Sequence, residues 1–275
     1  MSKQKLIVIL GPTASGKTDL SLKLAKKFNG EIISADSRQV YKGMNIGTGK
    51  ITKKEMKGIP HYLLDIASPK RKFSVAQYQK LTLKTINKIL KKKKNPFLVL
   101  TPASNLLCLI EGWIFPKLKP DWKLRKRLDK KSCQELFDIL KKKDPIRAKR
   151  IERKNKRRLI RAVEIAEKLG KVPLLGKNSQ FEYLLIGIKK TKEELEDLIR
   201  KRLLKRFKQR MINEVKGLRK NNVSWKRLEN FGLEYRWIAR YLQNKINYQE
   251  MVEKLQKDIE HFAKRQMTWF KKDKR

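Results

Sequence analysis

An octapeptide near the N-terminus has the glycine and lysine spacing of a phosphate-binding loop. Its sequence, GPTASGKT, fits the pattern G-x-x-x-x-G-K-[ST]. Its glycines let the backbone wrap closely around a phosphate group, and successive N–H groups then point at the anion. The lysine adds a positive charge, and the last hydroxyl can hold Mg²⁺. The pattern predicts a site for the diphosphate of ATP or of another diphosphate ester. Its residues are Gly11, Pro12, Thr13, Ala14, Ser15, Gly16, Lys17 and Thr18.

An aspartate stands just beyond the next apolar run, residues 31–35. Ligands in open α/β sheets bind outside the carboxyl ends of the strands, so we expect Asp36 to face the phosphate loop. Its carboxylate could act as a general base or as a water-bridged Mg²⁺ ligand. The alternative is a loop aspartate that caps the following turn. The next polar side chains, Arg38 and Gln39, could hydrogen-bond a phosphate or a base edge.

Four apolar segments predict the strands that must position these residues. The run at 6–10 is continuous and β-branched, which is typical of a buried parallel strand. Similar runs lie at 31–35, 97–100 and 183–188. An amphipathic helix follows the phosphate loop, and this alternation of strands and helices predicts an α/β fold with a parallel sheet.

The middle of the chain has a different pattern. Residues from about 123 to 170 have helical character without a convincing strand, and apolar residues return at helical spacing from 193 to the end. We therefore predict an α/β core formed by residues 1–112 and 180–275. A mostly helical insertion at 113–179 interrupts this core, and the C-terminal part is helical.

The charge predicts a polyanionic partner. The chain has 71 Lys and Arg residues against 27 Asp and Glu residues, a net charge of +44. A folded domain this basic favours nucleic acid as a partner, the alternative being a lysine-rich proteome.

Two cysteines and two histidines exclude a disulfide framework and a Cys/His zinc finger. No apolar run approaches the roughly 20 residues of a membrane span. We expect a cytoplasmic monomer with no membrane contact.

Further segments resemble the tRNA dimethylallyltransferase family, also called tRNA isopentenyltransferases. They cover nearly the whole chain in the family's order, whereas ordinary phosphate-loop kinases share only the first octapeptide. The segments after that octapeptide are SADSRQVYKGMNIGTGK, HYLLDIASP, DPIRAKRIERKNKRRLIRAVEIAEKLGKVP, GLEYRWIARYL and AKRQMTWFKK. The resemblance implies a P-loop NTPase-like core with a helical insertion that binds tRNA, in agreement with the pattern above.

The resemblance also implies an activity. Members of this family transfer a dimethylallyl group from dimethylallyl diphosphate to the exocyclic amine of the adenosine just 3′ of the tRNA anticodon, and diphosphate leaves. By this resemblance Lys17 and a Thr18-bound Mg²⁺ hold the diphosphate, and Arg202 faces it. Asp36 looks like the general base. The implied partners are the tRNA anticodon stem-loop and dimethylallyl diphosphate, with no stable protein partner.

The adenine must leave the anticodon stack, so base flipping is expected. The resemblance implies tRNA contacts at Asp36, Ser37, Arg38, Gln39, Arg125, Arg157, Arg158, Leu159, Ile160 and Arg161. For the basic positions, the alternative is a solvated helix face. At Lys264 and Arg265, near the end of the chain, RNA contact and simple packing of the adjacent Trp269 and Phe270 are both open.

One stretch differs from the family pattern. Relatives carry a Gly-Gly-Thr-Gly-Leu-Tyr-like segment after the third core strand, where this chain has VLTPASNLL at 99–107. If Thr101-Pro102 matches a Thr-Pro or Ser-Pro variant of that loop, the resemblance implies that Thr101 keeps the hydroxyl that orients the acceptor amine, which makes it the expected second catalytic residue. An ungapped count places Pro102 there instead, and Ser104 is a third candidate. The alternative functions are a tRNA-binding relative without activity, a phosphate-loop phosphotransferase, and a transferase acting on free adenine nucleotides.

Overall fold

The structure is a computed structural model that describes residues 4–99, 108–116, 118–173, 176–178 and 180–273. The chain forms two compact units. The first comprises Met1–Gly112 with Ser179–Arg275, and the second is Trp113–Asn178. The sequence places the insertion at 113–179, one residue longer than the second unit. No helix in the described ranges is long and apolar enough to cross a membrane.

A five-stranded parallel sheet lies at the centre of the first unit, in the order β3-β2-β4-β1-β7. The four predicted strands are confirmed with shifts of at most two residues. The fifth, β3, has two residues, too few for a periodic pattern. The strands of this sheet are β1 (Gln4–Leu10), β2 (Gly30–Ser34), β3 (His61–Tyr62), β4 (Asn95–Val99) and β7 (Phe181–Gly187).

Two helices follow strands of this sheet and five form the C-terminal part. They are α1 (Lys17–Lys27), α2 (Val75–Lys91), α7 (Lys192–Lys208), α8 (Met211–Lys220), α9 (Trp225–Phe231), α10 (Leu233–Tyr241) and α11 (Tyr248–Lys272). Reciprocal side-chain caps fix the start of several of them, as between Thr191 and Glu194 at the start of α7 and between Asn247 and Glu250 at the start of α11.

The C-terminal helices pack onto the segment that follows β2. Met211, Ile238 and Leu255 from α8, α10 and α11 are fully buried in one cluster with Val40 and Met44. This hydrophobic contact fixes the residues after Asp36 against helices that come more than 150 positions later in the chain. The cluster therefore joins the two sequence segments that form the site described below.

The second unit is mostly helical, as predicted. Its helices are α3 (Trp122–Leu128), α4 (Cys133–Lys143), α5 (Pro145–Arg150) and α6 (Lys156–Leu169). A short antiparallel pair, β5 (Trp113–Ile114) and β6 (Gly176–Lys177), was not predicted. Leu136, Leu140 and Val163 form part of its own hydrophobic core.

Candidate active site

The phosphate loop connects β1 to α1 in a conformation that needs its glycines. Gly11, Ala14 and Gly16 all have positive φ, at 155°, 64° and 89°. A Cβ on Gly11 would lie 2.7 Å from the Ser15 hydroxyl and 3.2 Å from the Ile188 carbonyl oxygen. The buried Ser15 hydroxyl has no hydrogen-bond partner among the described residues. The loop thus carries a polar group that a bound anion can satisfy.

Lys17 lies inside this loop. Its Nζ donates to the carbonyl oxygens of Gly11 at 2.9 Å and Pro12 at 2.6 Å. Burial and, to a smaller extent, the charge of nearby Arg202 lower the pKa of Lys17 to about 8, while Asp36 opposes the shift. A buried ammonium in this setting favours an anionic ligand, because the ligand's charge compensates for lost hydration.

Asp36 follows the carboxyl end of β2 and uses one oxygen to cap a turn. Its Oδ1 accepts hydrogen bonds from the backbone N–H groups of Arg38 at 2.7 Å and Gln39 at 3.3 Å. Its Oδ2 accepts none from the residues the structure describes. The capping role and an acid–base role are therefore compatible, since the second oxygen remains available as a proton acceptor.

Glu214 of α8 holds the loop at 45–47 through hydrogen bonds to its backbone. Its carboxylate accepts the backbone N–H groups of Asn45 at 2.7 Å, Ile46 at 2.6 Å and Gly47 at 3.1 Å, and the Tyr235 hydroxyl at 2.8 Å. Hydrogen bonds to a charged acceptor are stronger than neutral ones. Glu214 consequently fixes the backbone that leads to Gly49.

Two arginines of α7 pack over Gly49. A Cβ on Gly49, which has a φ of 58°, would coincide with guanidinium nitrogens of Arg202 and Arg206. Arg206 donates from Nη1 to Glu234 Oε1 at 2.7 Å and to the Gly47 carbonyl at 3.1 Å. Burial raises the pKa of Glu234, and Arg206 opposes that shift.

Arg202 is the less satisfied of the two arginines. Burial, followed by the charge of Arg206, lowers its pKa to about 10, while Glu234 and Asp36 act in the opposite direction. Its guanidinium group makes no hydrogen bond to the described residues. An anion in the cavity would supply both the missing charge and the missing acceptors.

These groups surround one cavity of about 540 Å³ in the first unit. Residues 13–18 of the phosphate loop, residues 36–39 and Arg202 line it together. The predicted diphosphate residues and the predicted base are thus brought to one place. The arrangement can bind a diphosphate and present a carboxylate to a reacting group beside it.

Residues at this site that sequence reasoning missed include Arg206, Glu214, Glu234 and Gln266. Gln266 of α11 accepts the backbone N–H of Thr13 at 2.9 Å, across 253 positions of the chain. Such long-range contacts leave no local pattern. The spacing of Arg202 and Arg206 was a usable signal, because residues four apart share one helix face.

The three residues after Asp36 differ in their exposure and in their contacts. Ser37 is exposed, and Gln39 donates from Nε2 to the carbonyl oxygens of Thr48 and Gly49, both at 3.3 Å. The guanidinium carbon of Arg38 lies 5.5 Å from the Phe231 ring centroid. All three line the cavity, so they lie where an acceptor base could enter.

Two of the residues predicted to contact tRNA have buried side chains in the second unit. Leu159 is fully buried and Ile160 is 8% exposed, both in the unit's hydrophobic core. The prediction that they contact RNA is wrong for their side chains, because these side chains pack inward from α6. The neighbouring Arg157 and Arg158 are exposed at the start of the same helix.

Arg125 and Arg161 have a structural partner. Both donate to Glu164, which is fully buried; Arg125 Nη2 lies 2.6 Å from Oε2. Burial acts to raise the pKa of Glu164, but the hydrogen bonds from these arginines and from the Asp121 N–H, together with the charge of Arg125, outweigh it and lower the pKa. Arg125 and Arg161 therefore compensate a buried charge, whatever else they contact.

Thr101, the expected second catalytic residue, lies outside the described residues, as do Pro102 and Ser104.

Comparison with known proteins gives a consistent result. A model of the IPP transferase family matches residues 39–273. The tRNA dimethylallyltransferase of Halothermothrix orenii is 40% identical over 278 residues, covering 98% of this chain and 85% of that protein. A tRNA dimethylallyltransferase 2 of Citrifermentans bemidjiense is 42% identical over 268 residues, covering 97% and 86% of the two chains.

Two solved structures are also similar. The full-length tRNA isopentenylpyrophosphate transferase of Bacillus halodurans is 36% identical with a TM-score of 0.75, covering 99% of this chain and 88% of that one. A eukaryotic dimethylallyltransferase, described as acting on tRNA, is 27% identical with a TM-score of 0.85, covering 97% and 69%.

Proposed function

The chain belongs to the IPP transferase family and transfers a dimethylallyl group to tRNA, and we propose that the cavity of its first unit performs this reaction. The acceptor is the exocyclic amine of the adenosine on the 3′ side of the anticodon, and the donor is dimethylallyl diphosphate. One observation carries the proposal: Lys17, Arg202 and the available oxygen of Asp36 surround the same cavity.

The bond changes assign a task to each of these groups. The amine nitrogen of adenosine attacks the allylic carbon, so a C–N bond forms while the C–O bond to diphosphate breaks. The proton leaving the amine goes to Asp36 Oδ2. Negative charge grows on the departing diphosphate, where Lys17 and Arg202 compensate it without first having to reorganise.

Burial of the two cations supports this role. The pKa values of Lys17 and Arg202 are both lowered by burial, which means that their charged forms are incompletely solvated. A diphosphate restores the missing interactions of these two buried cations. Charge compensation is stronger there than it would be at an exposed surface.

Mg²⁺ fits the donors that the site offers. The exposed Thr18 lines the cavity and brings a hydroxyl, a hard oxygen donor. No cluster of three His, Cys, Asp or Glu side chains suited to a metal occurs in the described ranges. Thr18 and the phosphate oxygens of the donor would therefore hold the ion. When bound, Mg²⁺ neutralises charge on the leaving diphosphate.

Binding of tRNA is assigned to two surfaces. The reacting adenine must be flipped out of the anticodon loop to reach Asp36, and Arg38 and Gln39 lie beside that entry. Arg157 and Arg158 in the second unit offer exposed positive charge to the RNA backbone. A tRNA substrate also agrees with the cytoplasmic location expected from the sequence.

The proposal is tested by a transfer assay. Purified protein is mixed with Mg²⁺, dimethylallyl diphosphate and an unmodified anticodon stem-loop with adenosine 3′ of the anticodon. Nuclease digestion and mass spectrometry then detect isopentenyladenosine, and a stem-loop with guanosine at that position is the control. Product in the adenosine stem-loop alone is the expected result. Stem-loop binding without product would favour a non-catalytic tRNA-binding protein, and ATP turnover without product would favour a phosphotransferase.

A further inference from the structure

The last part of α11 returns to the phosphate loop at the other end of the chain. Gln266 is 7% exposed, and its Oε1 accepts the backbone N–H of Thr13 at 2.9 Å. The same helix contributes Phe262 and Arg265 to the cavity wall. A side chain from the C-terminal helix thus contacts the backbone of the element that forms the anion site.

The phosphate loop has few restraints of its own. Its bond from the Ser15 N–H to the Pro12 carbonyl is 3.4 Å long, and three of its residues have positive φ. Lys17 also bonds to loop carbonyls, but its ammonium is required for the anion as well. The bond that Gln266 accepts differs, because its donor is the Thr13 backbone N–H near the start of the loop and it does not involve the Lys17 ammonium.

Packing fixes the helix that carries Gln266. Ile259 and Ala263, on the preceding turns of α11, are buried in the main core cluster. The Trp237 Nε1–H of α10 donates to Asp258 of α11 at 2.8 Å. Because these contacts hold the turns of α11 just before Gln266, its amide has a defined position before any ligand binds. A preorganised support lowers the ordering cost of ligand binding.

We infer that Gln266 is a positioning residue for the diphosphate site. By holding the Thr13 N–H it sets the start of the loop, so that the following residues, through Lys17, keep the conformation in which they line the cavity. This inference rests on the proposed function in one respect, the identity of the anion. It also gives the tail segment AKRQMTWF a role that requires no RNA contact by Gln266.

The test measures binding of inorganic diphosphate with Mg²⁺ by isothermal titration calorimetry. Gln266→Met keeps the length of the side chain and removes the acceptor, while Gln266→Asn withdraws the amide by one methylene. The matched control is Gln256→Met on the same helix, where the amide Nε2 donates to Glu260 Oε1 at 2.9 Å, one turn further along α11. We expect both Gln266 variants to bind diphosphate about tenfold more weakly, the effect of losing one hydrogen bond that supports the site. The control should bind as the wild type does.

Hydrogen exchange adds a readout that a purely structural role would not change. In the Gln266 variants, amide exchange of a peptide covering residues 11–18 should accelerate while that of β2 stays at its wild-type rate. A lower melting temperature with unchanged diphosphate affinity and unchanged loop exchange would refute the inference and leave Gln266 as a core residue. Having two variants guards against a folding failure in one of them.

The inference and the proposed function fail in different ways. If the wild type binds diphosphate but forms no isopentenyladenosine, the proposed function fails while the effect of Gln266 on diphosphate affinity can still be observed. If the wild type is an active transferase and both Gln266 variants bind diphosphate normally, the inference alone fails.

Discussion

Arg206 and Glu234 form a buried ion pair, with Nη1 of the arginine 2.7 Å from Oε1 of the glutamate. Each side chain is only 10% exposed, and the pair adjoins Arg202 at the cavity wall. Two neighbouring arginines in a buried site repel each other. Glu234 supplies the negative charge that allows both to remain there.

Removal of Glu234 should therefore destabilise the protein. Glu234→Ala leaves Arg206 as an uncompensated buried charge, and we expect a loss of about 3–5 kcal/mol in the free energy of unfolding. Urea denaturation monitored by circular dichroism measures this quantity. Glu229→Ala is the matched control, because Glu229 pairs with Arg240 at a half-exposed site and should contribute at most about 1 kcal/mol. Equal losses in the two variants would contradict the compensating role of Glu234.

Gly49 should tolerate no side chain. Gly49→Ala places a Cβ where the guanidinium groups of Arg202 and Arg206 lie, on a backbone with positive φ. We expect the KM for dimethylallyl diphosphate to rise at least about tenfold, since Arg202 must move. Gly217→Ala in α8 is the control: its Cβ would meet open space, and it should stabilise the protein by about 0.5–1 kcal/mol. An unchanged KM for dimethylallyl diphosphate in Gly49→Ala would show that the position of Arg202 over Gly49 does not matter for donor binding.

Diphosphate binding should be linked to protonation of Lys17. The pKa of Lys17 is lowered to about 8, so the free protein loses this charge as the pH rises through that value. The anion favours the charged form, so affinity should be fullest below that pH and fall by up to about tenfold per pH unit above it. Calorimetry at about pH 9 in two buffers of different ionisation enthalpy should reveal uptake of close to one proton. The same pH series on Lys17→Met should show no such uptake from this position.

Asp36 should be required for transfer but not for RNA binding. Asp36→Asn keeps an oxygen that can accept the Arg38 and Gln39 N–H groups, so the turn should persist, but the amide is a poor base. We expect kcat to fall by about 10²–10⁴-fold, with stem-loop affinity close to that of the wild type. Asp197→Asn on the exposed face of α7 is the charge-matched control. Retained turnover in Asp36→Asn would assign proton removal to another group.

Arginines of the second unit should divide into two functional classes. Arg158 is exposed and pairs with Glu152 at the surface, so Arg158→Gln should weaken stem-loop binding and reduce the slope of log affinity against log salt by about one. Its free energy of unfolding should change by no more than about 0.5 kcal/mol. Arg161→Gln should instead destabilise the protein, because it weakens the compensation of buried Glu164. Filter binding at several salt concentrations, combined with denaturation, separates the two classes.

Much of the fold and the first half of the site follow from local patterns. The phosphate loop, the strand before it and the position of Asp36 were predictable, because each depends on residues close together in the chain. The apolar character of Leu159 and Ile160 was also visible, and helical packing explains why their side chains lie in the core rather than at the surface. The resemblance assigned RNA contact to the whole segment 157–161. It could not distinguish the side chains of this segment that are exposed from those that are buried.

Residue types and spacing alone determined that a diphosphate loop begins at Gly11 and that a carboxylate follows the second strand. Both features depend on residues that are close together in the chain. Only the tertiary structure decided which distant groups complete that site. The bonds of Gln266 to Thr13 and of Arg206 to Glu234 join segments 253 and 28 positions apart. Such pairs form when packed helices bring them together, because a buried charge needs an opposite charge and a buried backbone N–H needs an acceptor, which packing can supply from any part of the chain.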